Sequence, residues 1–167
     1  MSQFIYTQGR KLVPLDLVNL RRLAESEPTD LRTPSGALPP ADVAAQALSQ
    51  LSSGVAAFWC VPMLVVETRS GDIVGGCRFK GSPLNDRVEI GYGVAEYARR
   101  RGVATEAVSL LLQRAASSGM VRHVDAQIRP DNLAASKVVM RLGFSPRGEV
   151  TDPDGELVVQ WSYQLAI

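Results

Sequence analysis

Arg87–Ser118 reads RVEIGYGVAEYARRRGVATEAVSLLLQRAASS. Val88, Ile90, Tyr92 and Val94 alternate with Glu89, Gly91 and Gly93, which is the period of a β-strand. From Ala104 onward, Ala104, Val108, Leu111, Leu112 and Ala115 recur at helical spacing. Between the two lies Arg99-Arg100-Arg101-Gly102-Val103-Ala104, so the spacing predicts a strand, a basic turn and an amphipathic helix. The start of a helix presents backbone N–H groups without internal partners and the positive end of its dipole, which together bind anions. Gly102 permits unusual dihedrals and a close backbone approach, and three arginines add charge. A phosphate-binding turn follows from this arrangement. Taken alone, the arginine run reads more readily as a solvated turn or a nucleic-acid patch, and Gly102 as an ordinary turn glycine. The strand–turn–helix context is what favours phosphate.

The turn is neither a P-loop, since no G-x-x-x-x-G-K-S/T is present, nor the dinucleotide fingerprint, since Glu96 stands where the third glycine would. Arg99, Gly102 and Ala104 fit the pattern Gln/Arg-x-x-Gly-x-Gly/Ala. Asn132-Leu-Ala-Ala135 followed by Leu142-Gly143-Phe144, and the E-I-G-Y run Glu89–Tyr92, continue the match in order and spacing. In these motifs the chain resembles the GNAT superfamily of N-acetyltransferases, and in the E-I-G-Y run its Rim-type branch, the ribosomal-protein N-terminal acetyltransferases. The resemblance extends from about Met63 to Phe144 and is weak before that.

The 167 residues fit one domain, 1–167, with a sizeable core. The chain is 46% hydrophobic and 21% charged with a formal net charge of +1, so bulk charge argues for neither nucleic acid nor a membrane surface. Cys60 and Cys77 form no metal or disulfide spacing and read as buried thiols of a reducing compartment. His123 is the only histidine and reads as structural. The N-terminal residues lack a signal-peptide pattern and the longest apolar run, Val55–Val66, is too short to span a bilayer, so a cytoplasmic protein without membrane or nucleic-acid partners is expected.

Along the chain, residues 3–13 suggest a first strand, with Phe4, Ile5, Tyr6, Leu12 and Val13. Leu15–Glu27 suggests a helix with Leu17, Leu20, Leu23 and Ala24 on one face and Asp16 as cap. Pro28–Pro40 is a long loop, either functional or a surface excursion. Ala41–Ser52 suggests a second helix. Met63–Thr68 and Ile73–Lys80 read as a hairpin across Ser70-Gly71-Asp72. Val121–Arg129 reads as a strand, and a helix capped by Asp131 or Asn132 runs to about Arg141 and ends at Gly143. Phe144–Val150 and Glu156–Leu165 close the chain as two strands. The order implies an α/β or α+β domain around a central mixed sheet.

The resemblance implies more. The fold would be an acyl-CoA N-acyltransferase fold, with a mostly antiparallel sheet and about four flanking helices. The activity would be transfer of an acetyl group from acetyl-CoA, without a metal, to a primary amine of a small molecule or peptide; a homodimer is left open. Val94 would lend a backbone N–H to the thioester carbonyl. Arg99, Arg100, Arg101, Gly102, Val103, Ala104 and Thr105 would hold the pyrophosphate, and Asn132 the pantetheine arm. Residues 15–52 would shape the acceptor site. Glu89 is the candidate base, with a strand carboxylate that is exposed or paired with Arg87 or Arg129 as the equal alternative. Gln127 would orient water or substrate. The acid is where the chain departs from the family: Val139 stands at the place of a tyrosine and Ala135 at that of a serine, leaving Ser136 as the nearest hydroxyl. Ser136 reads more readily as a helix serine bonded to a carbonyl. A weakly catalytic acyl-CoA-binding module is the second reading. A nucleic-acid-binding domain ranks last for want of a basic face with interleaved aromatics.

Overall fold

The computed structural model describes residues 9–31, 33 and 36–166. Among the described residues, seven strands form one sheet in the order β1-β2-β3-β4-β5-β7-β6. β1 (Arg10–Pro14), β2 (Met63–Glu67), β3 (Ile73–Phe79) and β4 (Arg87–Val94) pair antiparallel in sequence. β4 and β5 (His123–Ile128) are the one parallel pair; β7 (Leu157–Gln164) then inserts antiparallel between β5 and the edge strand β6 (Ser145–Thr151). The sheet is thus mixed and mostly antiparallel, and its crossover is the helix after β4.

Among the described residues, five α-helices accompany it: α1 (Leu17–Ala24), α2 (Ala41–Ser52), α3 (Ala57–Cys60), α4 (Val103–Ser118) and α5 (Leu133–Leu142). Asp16 caps α1 by accepting from the Asn19 amide. Leu17 is nearly half exposed, so the buried face of α1 centres on Leu20 and Asn19. α3 is a helical turn that no periodicity reveals, because four residues make one turn. It places Phe58 and Trp59 against Phe79 of β3, with ring centroids 5.7 and 4.9 Å away. α4 buries Val103, Ala107, Val108, Leu111 and Ala115. Ala104, expected on that face, is only half-buried. Phe4, Ile5 and Tyr6 of the expected first strand lie outside the described residues.

The two faces of the sheet differ in chemistry. On one, Val88, Ile90, Val124, Ala126 and Trp161 are buried in the core. On the other, register brings Arg87 and Glu89 of β4 beside Asp125 of β5 and Ser162 of β7. The Arg87 guanidinium donates to both Asp125 carboxylate oxygens, at 2.8 and 3.0 Å, and to the Ser162 hydroxyl at 2.8 Å. Two of the three buried polar residues, Asp125 and Ser162, are therefore satisfied by one planar fork.

Candidate active site

β4 keeps its β3 partner to its end, from Ile90↔Phe79 to Val94↔Gly75. Its pairing with β5 ends at Ile90↔Ala126. Gly91–Val94 therefore have no strand partner on the β5 side, and two cavities meet there. One, about 840 Å³, is bounded by the end of β4, the turn at 99–105 and α5. The other, about 480 Å³, is bounded by Gly36–Pro40, Val43 of α2, β3, β4 and β5. Tyr92, Gly93, Asn132 and Ala135 line both.

The larger cavity holds most of the expected phosphate turn. Beyond β4, a 3-10 turn (Glu96–Ala98) brings the chain to Arg99. Arg100 and Gly102 then take positive φ, 66° and 78°, and α4 begins. Gly102 stands at the N-cap with no side-chain cap, so the first-turn amides of α4 face the cavity undisplaced. The first bond of the helix is Glu106 N–H to the Gly102 carbonyl, 3.0 Å. A Cβ built on Gly102 would meet nothing within 4 Å, so the backbone is open to a ligand. Val94, Arg99, Arg100, Gly102, Val103, Ala104 and Thr105 all line this cavity; Arg101 does not, and points its charge to solvent. Lys137 and Arg141 line it from α5. Together with Ala134 and Val138 they form an i, i+3, i+4, i+7 stripe, a signal present in the sequence itself. A volume of this size, four cations and an uncapped helix start fit a diphosphate-bearing ligand such as a coenzyme A thioester.

Asn132 lines both cavities and also caps α5, accepting from the Ala135 amide at 3.1 Å, so its cap role and its exposure to the site coexist. Gln127 lines the smaller cavity. Two expected residues lie outside the lining of both cavities. Ser136 lines neither cavity; its hydroxyl donates to the Asn132 carbonyl at 2.9 Å, the usual habit of a helix serine. Glu89 lines neither cavity and is ion-paired with Lys80, Nζ–Oε2 2.9 Å. That partner follows from the β3–β4 register, in which the Lys80 amide donates to the Glu89 carbonyl. Val139 is fully buried, so position 139 gives the site no polar atom.

Tyr92 was passed over by sequence reasoning. Its hydroxyl crosses the opening and donates to the Ala135 carbonyl at 3.1 Å. Burial pushes its pKa up to about 12, so the phenol stays protonated. Alternation assigned Tyr92 to the core face, and only the departure of β5 opens that face to ligand. The loop after α1 is anchored: Asn19, buried, donates to Asp30 Oδ1 at 2.7 Å, and Gly36–Pro40 form one wall of the smaller cavity.

A mixed sheet that parts beside a phosphate turn defines an acyl-CoA N-acyltransferase fold. The chain matches the family model described as "Acetyltransferase (GNAT) domain" over residues 10–145, and it belongs to that family. It is 35% identical over 82 residues to the uncharacterized N-acetyltransferase YjdG of Bacillus subtilis, covering 48% of this chain and 49% of the relative. It is 31% identical over 81 residues to the ribosomal-protein-serine acetyltransferase of Escherichia coli, covering 48% and 45%. The chain thus spans about half the length of these curated relatives. Among solved structures, the ribosomal-protein-S5-alanine acetyltransferase of Vibrio fischeri superposes with a TM-score of 0.68 at 15% identity, covering 96% of each chain, which is a likeness of fold.

Proposed function

We propose that this chain, as a single acetyltransferase domain acting in the cytoplasm, transfers an acetyl group from acetyl-CoA to a primary amine. The observation that supports this best is the junction of two cavities at the unpaired end of β4, with the phosphate turn in one of them. When bound, the thioester supplies the activated acyl group. The chain's part is to hold the phosphates on the α4 amides with Arg99, Arg100, Lys137 and Arg141 around them. The freed backbone N–H at the end of β4, around Val94, is aimed where charge builds on the carbonyl oxygen. The amine enters from the smaller cavity and meets the acyl group near Gly93.

The amine must arrive neutral, and neither cavity is lined by a described Asp, Glu or His. Glu89 can act as base only through solvent and past Lys80. The Tyr92 hydroxyl is the side-chain O–H at the junction; to donate its proton to the departing sulfur it must first leave the Ala135 carbonyl. The testing experiment is release of free thiol from acetyl-CoA with a panel of amines. Release that depends on an amine sustains the proposal. Acetyl-CoA binding without release favours a weakly catalytic acyl-CoA-binding module, a reading the absence of a lining carboxylate keeps in view.

A further inference from the structure

We infer that the acceptor is an α-amine with a carboxylate beside it, held by Arg78. This rests on the acetyl-transfer reading and narrows it.

The smaller cavity is lined by three cations, Arg78, Lys80 and Arg129, and by no described acidic side chain. Lys80 is paired with Glu89 and Arg129 with Glu156, both at distances of an ion pair, and the two carboxylates lie outside the lining. Arg78 has no such partner among the described residues. Its Nη1 donates to the Gln46 Oε1 of α2 at 3.0 Å, a neutral acceptor that leaves most of its five N–H donors for another group. Asp42 and Glu89 act on it only through space, and burial lowers its pKa against them. A half-buried guanidinium held by an amide is a ready site for a carboxylate, which it takes in two parallel bonds.

The position of Arg78 ties this charge to the chemistry. Arg78 pairs with Gly91 across the strands. A Cβ on Gly91 would come within 3.6 Å of Arg78 Nε and 3.1 Å of Lys80 Cε. The missing side chain lets both cations lie over β4 at the residue where β5 departs. An anion on Arg78 is therefore next to the place where the amine must react.

The charge pattern also decides which amine. A side-chain amine with pKa near ~10.4 is neutral in only about one molecule in a thousand at pH 7.4, and an α-amine near ~8 in about one in five. Without a lining base the second is the workable nucleophile. Cations nearby disfavour ammonium further and repel a polyamine. A peptide beginning with aspartate carries such a carboxylate on an amine of this kind; a free α-amino acid carries one too, but its own carboxylate raises its amine above the peptide value until Arg78 neutralises that charge.

The test measures kcat/KM by thiol release for matched pairs: α-amino acids against their carboxamides, and Asp-starting against Asn-starting tetrapeptide amides, with spermidine as the cationic probe. The expected result is a preference of roughly tenfold or more for the carboxylate member of at least one pair, with spermidine poorest. Discrimination among amino acids identifies a free amino acid, and among tetrapeptides an acidic N-terminus; either sustains the inference. The preference should collapse towards one in Arg78→Gln. It should also collapse in Gln46→Glu, an exposed change that keeps the guanidinium and gives it an internal carboxylate. Thiol release with no preference for carboxylate, or with spermidine preferred, overturns the inference and leaves acetyl transfer standing. A preference that survives both variants overturns the role of Arg78. Release with no amine at all removes the acetyl-transfer reading, and this inference with it.

Discussion

Replacing Gly102 by alanine tests whether backbone geometry, and not charge alone, makes the phosphate turn. Gly102 has φ 78°, and its absent Cβ has no neighbour within 4 Å. No steric clash in the free protein therefore contributes, and the cost is the conformational one of an L-residue in the left-handed region, about 1–2 kcal/mol. That cost can be divided. If the turn keeps its shape, the loss appears as stability; if it relaxes, it appears as weaker acetyl-CoA binding. The two losses together should reach about 1–2 kcal/mol, and if all of it falls on binding, Kd rises roughly 5- to 30-fold. Valine, β-branched, should cost more. The control is Arg100→Ala, which keeps the positive φ of 66° and removes one exposed cation from a cavity also lined by Arg99, Lys137 and Arg141. One exposed charge should cost about 0.2–1 kcal/mol. Calorimetric titration with acetyl-CoA and urea melts of both variants provide the four numbers needed. An Arg100→Ala loss equal to or larger than the summed Gly102→Ala loss would refute the geometric argument and leave charge as the binding force.

Tyr92→Phe should lower turnover with little change in acetyl-CoA affinity. It should also flatten the alkaline limb of stability: a folded pKa of about 12 lies above the ordinary value near 10, so stability from the neutral phenol is full below about pH 10 and lost as pH rises towards 12. Urea melts at about pH 9 and pH 11 should show the steeper loss in the parent; equal slopes would contradict the burial. Gly75→Ala should destabilise by about 1–3 kcal/mol, because its Cβ would lie 2.5 Å from the Gly93 carbonyl oxygen; an unchanged melting temperature would contradict that approach of β3 to β4. Gly93→Ala should leave stability level or slightly raised yet cut turnover about ten- to a hundredfold, since its Cβ meets no protein atom within 4 Å; normal turnover would mean that no reactant passes there. Arg87→Met should cost about 1–3 kcal/mol by orphaning the Asp125 carboxylate, read by urea melts; no loss would mean that water replaces the guanidinium.

The strand, turn and helix at Arg87–Ser118 were legible because each announces itself locally. Period 2 changes to period 3.6, and the change falls on a glycine at positive φ. α5 was legible from Asn132 and Gly143, which do cap it at its two ends. What stayed hidden depends on strands distant in sequence. The alternation of Glu89 with Gly91 and Gly93 gives its face, but its partner Lys80 depends on how the hairpin through 80–86 aligns the strands. Tyr92 reads like Ile90, and nothing local states that β5 turns away between them. Arg78 sits in an apolar strand where a single charge draws no attention, and its meaning comes from Gln46 on α2. The hydroxyl of Ser136 is turned from the cavities for a local reason, since a helix serine finds the carbonyl one turn back.

Two bare positions on β4 have different causes. At Gly91 a Cβ would crowd the Lys80 side chain at 3.1 Å and touch Arg78, so the bare position leaves room for both cations. Gly93 has ordinary φ and open space around it, so neither folding nor packing requires glycine. It also lies on the wall that both cavities share. A strand interior normally loses stability at a glycine, and this chain accepts that loss where no internal contact explains it. The consistent account is that the space over Gly93 is reserved for reactants: one ligand lies along the parted edge of β4 from the phosphate turn, and the other descends from the cation-lined cavity across its face. On the proposed reading, Gly91 marks where the acceptor's charge is held, and Gly93 leaves its nitrogen room to reach the acyl carbon. Acceptor choice at Gly91 and acyl transfer at Gly93 then share β4, phosphate binding follows in the turn at Arg99–Thr105, and the departure of β5 after Ile90 is what opens them to each other.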